Sequence, residues 1–110
     1  MKATEEKLNI IKSLKALLTS HFGTNIQDVI LFGSQLKGTS TKFSDFDVLI
    51  VLKDDYDWQY QDMITDVVYD MELNYDILFD KHLVSLNEMK NSLKGEEPIY
   101  KNAIKHGLYA

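Results

Sequence analysis

The chain has 110 residues, enough for one domain around one core, and its 45% hydrophobic and 26% charged residues are ordinary for a soluble globular protein. Cysteine is absent, which excludes disulfides and thiolate metal sites and makes the cytoplasm the default compartment; no apolar run reaches transmembrane length and no charged-then-apolar leader opens the chain. The net charge is -5 and all 12 basic residues are lysines, which argues against an extended nucleic-acid surface and rules out guanidinium forks for phosphate.

Residues 4 to 21 read as an amphipathic helix, with Leu8, Ile10, Ile11, Leu14, Leu17 and Leu18 at three- and four-residue steps. Thr4 is the expected N-cap, Glu5 and Glu6 suit the first turn, and Gly23 is the expected stop. Packing, with no chemistry, is the expected role of this helix. Asp28 to Phe32 is short, β-branched and apolar, a strand by composition. Gly33-Ser34 follows at once; glycine lets backbone approach a ligand closely, and a helical turn starting at Ser34 would offer free N–H groups to an anion. A plain strand-to-helix turn uses the same two residues.

Thr39 to Ser44 is a polar loop that leads into a second strand, Asp45 to Leu52. Its run VLIVL is apolar on both faces, as in a central, doubly covered strand. Alternation sends the Asp45 and Asp47 side chains to one face and Phe46 to the other. Two neighbouring anions repel unless a cation or a proton lies between them, and a cation is the expectation here. Asp54, Asp55 and Asp57 then make an acidic, solvated start to a helix over Trp58 to about Glu72, with Asp57 as N-cap. Tyr60, Ile64, Val67, Val68 and Met71 form its apolar face.

Tyr75 to Asp80 is expected as a third strand, with Asp76, Leu78 and Asp80 on one face. Ser85 and Glu88 form a capping box that opens a helix closed by Gly95, and Pro98 starts a last helix ending at Gly107. A short connection makes strands one and two antiparallel, whereas the helix between strands two and three is long enough for a parallel crossover. That topology brings Gly33-Ser34, Asp45, Asp47 and the start of strand three to one edge. Asp80 would lie roughly 13 Å beyond Asp76 at strand rise, so Asp76 is the third carboxylate expected, against its reading as a surface acid. The fold class is α/β (α+β), one domain over 1–110 with a small mixed sheet of three to four strands packed by helices.

Gly33, Ser34, Lys37, Gly38, Ser44, Asp45 and Asp47, each group joined to an apolar strand, resemble the signature of the polymerase-beta-like nucleotidyltransferase superfamily. With the acidic third strand and the tail EEPIYKNAIKHGLY, the chain resembles the minimal, MNT-type branch often encoded beside a HEPN-type partner. The resemblance implies that Asp45, Asp47 and Asp76 hold two Mg²⁺ ions and do the catalytic work, Asp76 also accepting the hydroxyl proton, while Gly33, Ser34 and Lys37 bind the triphosphate. Lys42 is a second candidate for phosphate contact. The implied reaction moves AMP from ATP to a hydroxyl, a tyrosine of the HEPN-type toxin, and makes this chain the antitoxin. Members commonly have arginine where Lys37 stands, so charge is kept and the fork lost. Alternatives are a binding module that neutralises its partner by occlusion and, more weakly, a small-molecule nucleotidyltransferase with an aminoglycoside-like acceptor held across a homo-oligomer. His21, His82 and His106, expected at element ends on the surface, are assigned no role. No membrane and no extended nucleic acid are expected as partners.

Overall fold

The computed structural model describes residues 2–33, 46–91 and 96–110. Helix α1 (Lys2–Phe22) starts two residues before Thr4, which therefore lies within the helix rather than at its N-cap. Gly23, at φ +64°, ends it and opens a 3₁₀ turn over Gly23–Asn25. Strands β1 (Ile26–Phe32) and β2 (Phe46–Leu52) follow, then helix α2 (Trp58–Tyr75), strand β3 (Phe79–Ser85), helix α3 (Leu86–Asn91), helix α4 (Pro98–His106) and strand β4 (Leu108–Tyr109). Among these residues the sheet has the order β3-β2-β1-β4. β1 is antiparallel to β2 and to β4, and β2 is parallel to β3, so the expected pairings of the first three strands hold and a small fourth strand closes one edge. None of the described helices is long and apolar enough to cross a membrane.

Alternation divides the core into two layers. Val48, Ile50 and Leu52 of β2 meet Ile11, Leu14 and Leu18 of α1 and Ile64, Val67, Val68 and Met71 of α2. Leu49 and Val51 point the other way, with Ile30, Val84 and, from α4, Tyr100 and Ala103. The run VLIVL is thus covered on both faces, as its composition demands, each fully buried side chain contributing about 1.5–3 kcal/mol. The Asp57 carboxylate accepts from the Tyr60 N–H at 2.8 Å, so the expected N-cap of α2 is in place. The capping box is formed too: the Ser85 N–H donates to Glu88 Oε1 and the Glu88 N–H to Ser85 Oγ, each at 3.0 Å. Gly95, its expected stop, lies outside the described residues.

The third strand departs from expectation. No glycine or proline interrupts Met71 to Tyr75, so α2 runs on to Tyr75 and Asp76 becomes its C-cap in the left-handed region (φ 54°, ψ 45°). A short polar side chain tolerates that conformation better than most. Both the Asp76 and Ile77 N–H groups donate to Glu72 O, and Glu72 Oε2 accepts from the Phe79 N–H at 2.8 Å. The helix end therefore leads directly into β3, which starts four residues later than Tyr75.

Candidate functional site

Three strands line up at one point of the sheet: Phe32 of β1 pairs with Asp47 of β2, and Asp47 with Asp80 of β3. Gly33, the residue after β1, has φ +80°, a conformation side chains rarely adopt. A methyl group added there would come within 3.0 Å of Asp47 Cγ and overlap Oδ2, so glycine is what lets the turn lie against this carboxylate. The expected meeting of the glycine turn with Asp47 is formed. Ser34, Lys37, Gly38, Lys42, Ser44 and Asp45 lie outside the described residues.

Asp76 is not at this place. It caps α2, while the residue in register with Asp47 is Asp80, which the expected strand had put at the far end. Alternation from Asp80 brings His82 to the same face. One donor atom from each of Asp47, Asp80 and His82 lies within 4.8 Å of the others. The Asp80 side chain is 55% exposed and that of His82 24%, so the group runs from solvent into the sheet. His82 is not a surface residue at an element end: it sits inside β3, its ring 5.7 Å from Phe32 and edge-on to Tyr100 at 6.4 Å. Its Nε2 is shut off from water and has no hydrogen-bond partner among the described residues, and Asp80 Oδ2 is 3.7 Å away. That is within ion-pair range for a protonated ring but too long for a hydrogen bond.

A nitrogen with no hydrogen bond among the described residues, close to two carboxylates, is a donor set a divalent cation would complete, so the residues fit a metal ion. Sequence reasoning missed Asp80 and His82 through the position of one strand end. A signal was present: the capping box fixes a helix start after Ser85, leaving the apolar Leu83-Val84 to be strand and carrying the alternation back through His82 to Asp80. The acids further along are structural. Asp55 accepts from Ser85 Oγ at 2.6 Å and from Asn87 Nδ2 at 3.1 Å, joining the segment before α2 to the end of β3.

Residues 9–107 match the family described as Nucleotidyltransferase domain. No curated protein matches the sequence. Among solved structures, the fold is similar to a chain in a crystal structure of a toxin-antitoxin with AMP-PNP. The TM-score is 0.58 at 20% identity, covering 93% of this chain and 70% of that one. The family match runs from within α1 to the end of α4 and takes in β1, β2, β3 and the glycine turn beside Asp47, and this chain therefore belongs to the nucleotidyltransferase domain family.

Proposed function

We propose that this chain is a metal-dependent nucleotidyltransferase that moves AMP from ATP to a hydroxyl group, and that it acts as an antitoxin by modifying a tyrosine of a HEPN-type partner. The observation that carries the reading is the meeting of Asp47, Asp80 and His82 against the Gly33 turn. Membership of the family supports nucleotidyl transfer, and the toxin-antitoxin with AMP-PNP that shares the fold is in keeping with the nucleotide and the partner.

In this reading Asp80 replaces Asp76 as the third carboxylate, and Asp45, which the resemblance pairs with Asp47, completes the set for Mg²⁺, with two ions expected. Bound there, such ions supply positive charge for the phosphates and a lowered pKa for the acceptor hydroxyl. Asp47 and Asp80 would hold that charge where β2 and β3 begin, and Gly33 lets the backbone after β1 lie against Asp47 without striking it. Ser34 and Lys37 contact the terminal phosphates, Lys37 as a point charge. The acceptor oxygen bonds to the α-phosphorus as the bond to the β-phosphate oxygen breaks, and pyrophosphate leaves. The hydroxyl proton passes to Asp80, whose carboxylate is open to solvent.

The test is the mass of the copurifying partner after incubation with ATP and Mg²⁺. A gain of one AMP on a tyrosine, absent with Asp47→Asn, is the expected result. An unmodified partner that the Asp47→Asn chain still neutralises would make occlusion the function instead.

A further inference from the structure

We propose that His82 is itself a ligand of this metal site and biases it towards first-row transition dications over Mg²⁺. The inference rests on the metal-dependent reading and concerns which ion the site prefers.

Three observations carry it. His82 Nε2 is buried with no hydrogen-bond partner among the described residues, a state that is costly when nothing compensates. The ring lies beside Phe32 and edge-on to Tyr100, and filling space between them would need no nitrogen. The 3.7 Å from Nε2 to Asp80 Oδ2 is too long for a hydrogen bond but short enough for one cation to touch both atoms, since metal bonds to imidazole nitrogen and carboxylate oxygen are about 2.0–2.2 Å. The nearby Asp47 oxygen makes the donor set two oxygens and one nitrogen. Mg²⁺ favours oxygen and retained water, whereas imidazole suits the later first-row ions. The competing account is a protonated His82 paired with Asp80, with no part in metal binding.

Co²⁺ and Mg²⁺ titrations of the full chain separate the two, read by calorimetry and, for Co²⁺, by visible absorption, which reports nitrogen ligation. Wild type should bind Co²⁺ more tightly than Mg²⁺. His82→Leu and His82→Gln should each weaken Co²⁺ by about 10-fold or more, on the scale of losing a metal-site partner, and change Mg²⁺ little. Circular dichroism checks the fold, and if His82→Leu unfolds, His82→Gln carries the comparison. Unchanged Co²⁺ affinity and spectrum in a folded His82 variant, with Mg²⁺ binding still lost in Asp47→Asn, would overturn this inference and leave the proposed function standing. Failure of wild type to bind either ion would overturn both.

Discussion

Where β2 and β3 end, carboxylates are matched to donors: Asp55 to the Ser85 hydroxyl and the Asn87 amide, Glu88 to the Ser85 N–H, Asp57 to the Tyr60 N–H. Where the same strands begin, Asp80 and His82 approach only to 3.7 Å, His82 Nε2 has no hydrogen bond among the described residues, and Asp47 faces a glycine turn with no room for a methyl group. Both ends are rich in acid, so acidity alone does not mark a site. The difference lies in how the groups are arranged. At the first end each of these acids is bonded to a donor of the local structure; at the second two carboxylates converge with a ring nitrogen that has no hydrogen bond among the described residues.

The contrast can be broken from either side. The largest effect is expected from Asp47→Asn, which should reduce nucleotidyl transfer by more than the roughly 10–100-fold that even outer partners of a metal ligand command. An activity assay checks the loss, and a thermal melt checks that the variant remains folded. Gly33→Ala comes next. The overlap with Asp47 and the positive φ should cost about 1–3 kcal/mol in urea unfolding and weaken Mg²⁺ binding as well.

Ser85→Ala attacks the satisfied end. It removes the donor to Asp55 and the cap on the Glu88 N–H, and should cost about 1–2 kcal/mol in urea unfolding with Mg²⁺ affinity unchanged. A fall in Mg²⁺ affinity in that variant would show that the two ends are not independent. The smallest effect lies away from both. Burial, and then the negative charge of Asp28, raise the Tyr109 phenol above its ordinary value of 10.0. The folded state therefore keeps this proton more firmly, and the associated stability is whole below about pH 10 and is lost as pH rises through the folded value. Tyr109 is 41% exposed, so the loss should be slight. Alkaline unfolding curves of wild type and Tyr109→Phe should diverge only above that pH.

Short-range pattern accounts for much of the molecule. Helical periodicity marked the buried faces of α1 and α2, and alternation marked both faces of β2. Connection lengths implied one antiparallel and one parallel pairing, and these bring Gly33 to Asp47. The third acid was beyond that reach. Asp76 and Asp80 have the same parity along an extended chain, so no argument about faces can choose between them. The choice depends on where α2 stops, and the residues from Met71 to Tyr75 continue a helix as readily as they would end one. Pairing with β2 across more than thirty residues of chain settles it by setting Asp80 opposite Asp47. His82 acquires its surroundings in the same way, from Phe32 and Tyr100, which are neighbours only after the sheet has formed and α4 has packed on it.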